Sequence, residues 1–146
     1  DTAATTADAL EESLDLCDRW HDTEGGRLRY AFAPRFALSC TEGILQQVAE
    51  EARSRKALVH THASESKEEI AIVEARTGRR NIVYLDDVGL LGPRSAIAHA
   101  IHVTEDEKAL LALRGAAVVH CPSSNLKLGS GIAPVVDYLR RRVTVA

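Results

Sequence analysis

Apolar segments of two kinds take turns along this chain, and that alternation limits its folds more than any other feature. Over residues 7–21, Leu10, Leu14, Cys17 and Trp20 share one helical face. Gly25-Gly26 then breaks the chain, and residues 28–34 read as a short buried strand. Residues 41–55 form a second helical pattern, with Ile44, Leu45 and Val48 spaced to face a core. The spacing predicts strands at 57–62, 95–99, 116–121 and 143–146, and helices at 66–77, 104–114 and 132–141. A short extra helix is expected over residues 82–91, and Gly92-Pro93 turns the chain into the next strand. Ser66 with Glu69, and Thr104 with Glu107, have the spacing of capping boxes, while Gly78 and Gly115 end those helices.

Repeated strand–helix units with nearly continuous apolar strands call for a parallel sheet covered by helices. An open doubly wound sheet usually carries a glycine-rich phosphate loop after its first strand. This chain has none. A closed barrel instead places polar groups at the C-terminal ends of several strands. Arg35, His62, His99 and His120 all stand at or just past strand ends. The expected fold is therefore α/β, a TIM-type (β/α)8 barrel. A whole barrel needs ~250 residues, so these 146 make one partial barrel domain, about half, lacking the first strands and the end of the last.

A net charge of −3 with interspersed signs offers no basic stripe for nucleic acid. No apolar run approaches the ~18 residues of a membrane span. Cys17, Cys40 and Cys121 are widely spaced and odd in number, which fits reduced thiols and a cytoplasmic location. Residues 1–4 show neither an initiator Met nor a signal core, so the chain is expected to start after processing or within a longer protein.

The chemistry gathers on the second strand and after it. His60 and His62 share one strand face. Two buried imidazoles need partners, and ligation of a metal is one solution. Alone, this tripeptide is a weak signal and fits one packed and one exposed histidine better than a metal site. Glu65 stands three residues after His62 at the strand-to-helix turn, where a carboxylate can reach a substrate atom or simply favour a helix N-terminus. His99 ends the third strand on the face of Ile97, and His102 falls in the loop beyond. Arg35-Phe36 comes after the first strand, a fork of donors beside an apolar ring, suited to a flat heteroaromatic molecule or simply an exposed Arg beside a core Phe. The segment 121–131, CPSSNLKLGSG, reads as a turn-rich loop at the barrel rim, with Asn125 and Ser123 bonding backbone groups.

The runs VHTHASESKEE, IAHAIHVTEDE and VVHCPSSNLKLGSGIAPV, in this order, resemble the nucleobase- and nucleoside-deaminating branch of the amidohydrolase superfamily. That branch includes guanine deaminases, S-adenosylhomocysteine/methylthioadenosine deaminases and triazine hydrolases. The resemblance implies His62 as a ligand of one divalent metal ion, zinc before iron. It implies Glu65 as the proton shuttle that also touches substrate, and His99 as the residue that orients water or substrate. Pro34-Arg35-Phe36 looks like the ring-binding segment of guanine deaminases. The family's first-strand His-x-His and last-strand Gly-x-Asp are absent from these residues.

The function implied by this resemblance is that of a metal-dependent aminohydrolase of purine-type bases or 5′-modified adenosines, with a small heteroaromatic amine as its partner molecule. A homo-oligomer is compatible with it, and the remainder of the barrel is required. Two other readings stay open. One is a triazine-type chlorohydrolase, in which chloride leaves and no proton need accompany it. The other is a non-catalytic barrel piece that packs against a partner chain.

Overall fold

A computed structural model describes residues 6–146, so residues 1–4 and their expected processing lie outside it. Five strands make one sheet: β1 (Ala31–Phe32), β2 (Leu58–Ala63), β3 (Ser95–His99), β4 (Ala117–Val119) and β5 (Thr144–Val145). Every neighbouring pair is parallel, and the order in the sheet is the order in the chain. A doubly wound sheet reverses its strand order at a switch point. This sheet never reverses, which is the winding of a barrel wall.

The helices are α1 (Thr6–Trp20), the single turn α2 (Thr23–Gly26), α3 (Glu42–Arg55), α4 (Lys67–Thr77), α5 (Asn81–Asp87), α6 (Glu105–Arg114), α7 (Pro122–Leu128) and α8 (Val135–Arg140). Their starts obey local chemistry. Thr41 and Ser66 each accept a backbone N–H from the third residue along. Thr104 and Glu107 complete a full capping box. Gly78, Gly115 and Gly129 end their helices in the left-handed conformation, which costs glycine little.

One face of the sheet packs on the helices. Along β2, Val59, Thr61 and Ala63 are buried while Leu58, His60 and His62 are not. The register sets Thr61 beside Ile97, and Ile97 beside Val118. These residues meet Leu45, Val73, Ile82, Leu111 and Tyr138 in one core. The opposite face carries His60 and His62 and belongs to the barrel interior. No described helix is long and apolar enough to cross a membrane. Cys17, Cys40 and Cys121 are free thiols.

Four elements differ from expectation. β1 is shorter than residues 28–34 because the ends of that segment bond elsewhere: Leu28 O accepts from Asp22 N, and Tyr30 N donates to His21 Nδ1. The helix read over 82–91 stops at Asp87, where Gly89 takes a φ of 81°. α8 starts only after Pro134, because a residue preceding proline is pushed out of helical geometry. The segment read as a loop contains α7: Pro122 occupies a first-turn position that needs no N–H, and Cys121 leaves the strand to cap it. Ser123 is simply exposed there.

Candidate active site

The C-terminal ends of β2 and β3 make sharp turns that aim their last side chains. Ser64, His99 and Ala100 have φ of 56°, 69° and 44°, a conformation that costs non-glycine residues about 1–3 kcal/mol each. The two turns hold each other. Ser64 O accepts from Ile101 N and His102 N, each at 3.0 Å, and Ala63 O accepts from Ala100 N at 3.0 Å. The Tyr138 hydroxyl donates to Ala100 O. This corrects the reading of the third strand. By strict alternation His99 shares the helix-facing side of Ile97. The left-handed turn instead brings its ring to 5.3 Å from the His62 ring, on the cavity side.

His62 is fixed by its neighbour across the sheet. Its backbone N donates to Arg35 O at 3.0 Å, and its Nδ1 lies 2.7 Å from the same oxygen. A carbonyl only accepts, so Nδ1 carries the proton and Nε2 keeps its lone pair. That is the tautomer a metal-binding imidazole needs, with the carbonyl behind it holding the ring. His62 thus suits one ligand position of a divalent ion. Among the described residues, no three His, Cys, Asp or Glu side chains converge closely enough to hold one. His60 lies one step deeper on β2, 5.7 Å from His62 between rings, and burial pushes its pKa down.

Glu65 stands at the rim. Its Oε2 lies 3.5 Å from His99 Nε2, and its Oε1 accepts from Ser130 Oγ at 3.4 Å. Arg35 places its guanidinium 5.7 Å above the Phe36 ring. Arg35, Phe36, His62, Glu65 and His99 all border one cleft of ≈ 340 Å³, with Leu128 of α7 on its wall. Such a space takes a small ligand.

Two residues of the site were not read from the sequence as such. Asn125, expected to bond backbone groups, is fully buried, and its Oδ1 lies 2.7 Å from His99 Nδ1. Glu69 was read only as half of a capping box. Ser66 Oγ does accept from Glu69 N at 3.1 Å, but the Glu69 carboxylate takes the Glu65 N–H at 2.9 Å and the Asn81 amide. It is therefore a strut under the turn that carries Glu65. The sequence signal for it was a second glutamate one helical turn after the first.

Burial raises the Glu69 pKa above its ordinary 4.5, against backbone hydrogen bonds that lower it. The folded state therefore favours the protonated acid. The stability from this group is present below the ordinary pKa and is lost as pH rises through the raised one. Glutamine resembles the protonated form and does not titrate, and its amide suits Asn81 Oδ1, which has no partner among the described residues. Urea midpoints of wild type and Glu69→Gln, taken at mildly acidic and at neutral pH, are expected to shift in favour of the variant as pH rises. A difference independent of pH would refute this.

The profile of the Amidohydrolase family matches residues 2–146. The chain belongs to the amidohydrolase family. It is 39% identical over 136 residues to a 5-methylthioadenosine/S-adenosylhomocysteine deaminase of Haloarcula marismortui, covering 93% of this chain and 32% of that protein. Among solved structures it resembles a Xanthomonas campestris adenosine deaminase with bound zinc, at 33% identity and TM-score 0.87, covering 97% of this chain and 32% of the other. It also resembles a guanine deaminase from C. acetobutylicum with guanine in its active site. There the identity is 28% and the TM-score 0.88, over 94% of this chain and 33% of the other. This amidohydrolase chain therefore spans about a third of the length of the relatives it matches. Its sheet is a sector of the barrel those proteins share.

Proposed function

We propose that the whole protein containing this chain is a metal-dependent aminohydrolase that releases ammonia from a purine-type base or a 5′-modified adenosine. The observation that carries this reading is the joint placement of His62, Glu65 and His99 around one cleft at the C-terminal strand ends. The similarity to deaminases of nucleosides and of guanine supports it. His62 would hold the ion from this chain through Nε2. We assign zinc, in keeping with the zinc-containing relative, and elemental analysis of the whole protein separates it from iron. When bound, such an ion makes water at the site more acidic.

The residues then divide the proton work. Glu65 takes a proton from the attacking water as its oxygen bonds to the ring carbon bearing the amine. Glu65 passes that proton to the ring nitrogen, and a further transfer lets the amine leave as ammonia. Water and substrate amine become ring carbonyl and ammonia, so the atoms balance. Leu128 and Phe36 offer apolar walls, and Arg35 points its fork over Phe36.

Arg35 bears on the choice of base. A guanidinium pairs well with a ring carbonyl beside a nitrogen, which guanine presents and adenine does not. Arg35→Ala is expected to raise KM for an oxo-purine while leaving KM for an adenosine nearly unchanged. A hydrogen bond to a charged group contributes about 1.5–3 kcal/mol, which is roughly 10- to 100-fold in KM. The test is ammonia release by the whole protein from guanine, 8-oxoguanine, 5′-deoxyadenosine, methylthioadenosine and S-adenosylhomocysteine. Ammonia from any of them supports the deaminase. Chloride from a chlorotriazine with ammonia from none would replace it by a chlorohydrolase. No turnover of either kind, with no metal retained, would leave the non-catalytic reading.

A further inference from the structure

His99 is buried, and two hydrogen-bonding groups face its two ring nitrogens. Nε2 looks into the cleft towards Glu65 at 3.5 Å, and Nδ1 meets Asn125 Oδ1 at 2.7 Å. An amide oxygen only accepts, so in this arrangement His99 donates from Nδ1 and its Nε2 is bare. We propose that Asn125 is a positioning residue: it fixes the His99 tautomer so that Nε2 presents a lone pair to the attacking water. This role rests on the aminohydrolase reading.

The chemistry favours this tautomer. A separation of 3.5 Å between Glu65 and His99 is too long for a strong ionic hydrogen bond. It leaves both acceptors free to take one O–H each from a water lying against them. Held by both hydrogens, the water turns an oxygen lone pair towards the ring carbon. An Nε2–H tautomer would do the opposite, donating to the lone pair that must attack.

Asn125 is well placed to enforce the choice. Its side chain comes from α7, whose backbone is anchored around it: Asn125 N donates to Cys121 O at 2.9 Å, and Asn125 O accepts from Ser130 N at 2.9 Å. Ser130 also donates to Glu65 Oε1, so the same short segment steadies both acceptors. The backbone that carries the ring is fixed, because the left-handed turn of His99 and Ala100 is tied to β2 and to Tyr138. The Asn125 Nδ2 atom has no partner among the described residues, so Oδ1 makes the side-chain contact that reaches His99. Removing that oxygen removes the group that selects Nδ1–H.

The test uses the whole protein with ¹⁵N-labelled histidine, the His99 signals being assigned by their loss in His99→Asn. Wild type is expected to show His99 protonated at Nδ1 and bare at Nε2. Asn125→Ala should lose that signature for a mixture of tautomers. It should lower kcat for ammonia release about 10–100-fold, the usual cost of removing such an outer partner. KM and zinc content should stay within about twofold, as expected for a change confined to the reacting step. Asn125→Asp keeps the acceptor and should keep Nδ1–H, so it decides the matter even where the alanine variant does not fold. An Nε2–H tautomer in wild type or in the aspartate variant overturns the proposal. So does an alanine variant with unchanged tautomer and unchanged kcat. Should the wild-type protein release no ammonia from any panel compound, the aminohydrolase reading falls, while the ring spectra still decide what Asn125 does.

Discussion

If the whole protein is the proposed aminohydrolase, Glu65→Gln is expected to keep its metal ion and to lose about 10²–10⁴-fold in kcat for ammonia release, the range set by general acid–base catalysis. The amide fills the same volume and can still accept from Ser130 Oγ and receive support from the turn below. It cannot carry a proton from water to the ring. The turn itself does not depend on the charge of this side chain, because it is held by the Glu69 carboxylate on the Glu65 N–H and by Ser64 O on the β3 loop. Structure and metal content should therefore survive the change. Turnover within a few-fold of wild type would remove Glu65 from proton transfer. Parallel loss of the metal ion would make it a ligand.

The largest effect on stability is expected at Glu107, on the far side of the β3 loop. This carboxylate is 1% exposed and ties the start of α5 to the start of α6. It accepts from Arg80 Nε at 3.1 Å, from Thr104 N at 2.9 Å and from Ile82 N at 3.4 Å. Arg80 in turn donates to His102 O at 2.8 Å. Glu107→Ala leaves Arg80 Nε and two backbone donors without an acceptor, while Arg80 keeps its bond to His102 O. Breaking a buried ion pair by removing one partner costs about 3–5 kcal/mol. The lower end applies here, because Arg80 keeps 30% of its side chain exposed to solvent. Chemical denaturation should show a loss of about 3 kcal/mol, larger than that of Glu107→Gln, which retains an acceptor. A loss below about 1 kcal/mol, the scale of an exposed ion pair, would mean that water satisfies Arg80 as well as Glu107 does.

The fold was legible because hydrophobic period and capping chemistry are local. Thr104 and Glu107 announce the start of α6 within four residues, and Gly115 its end. The strand spacing likewise identifies a parallel α/β chain before any contact is known. Site residues were legible where resemblance marked them or where a polar group ended an apolar strand, as with His62. Other features depend on contacts between segments distant in sequence. Nothing near Asn125 says that His99 will lie against it, because 26 residues separate them. Nothing near His99 predicts a positive φ, since few non-glycine residues adopt one. Both features arise when β2, β3 and α7 are assembled. The boundaries of β1 and α8 were missed for smaller reasons: the ends of the β1 segment bond elsewhere, and Pro134 delays the start of α8.

The unreversed strand order has a consequence for how such a protein is made. Each strand's partner in the sheet is the one just synthesised, so a nascent chain can add β2 to β1 while β3 is still inside the ribosome. No strand must wait for a distant segment before its inner edge is satisfied, which keeps loop-closure entropy small at each step. The growing edge remains open until the next unit arrives, and an exposed edge can pair with another chain. Pausing during translation would therefore be most hazardous after a strand and safest once the next helix has covered it. The residues of the cleft emerge in the same sequence, from Arg35 through His62 and Glu65 to His99, followed by Asn125 behind it, so the site is completed by addition as the wall is wound.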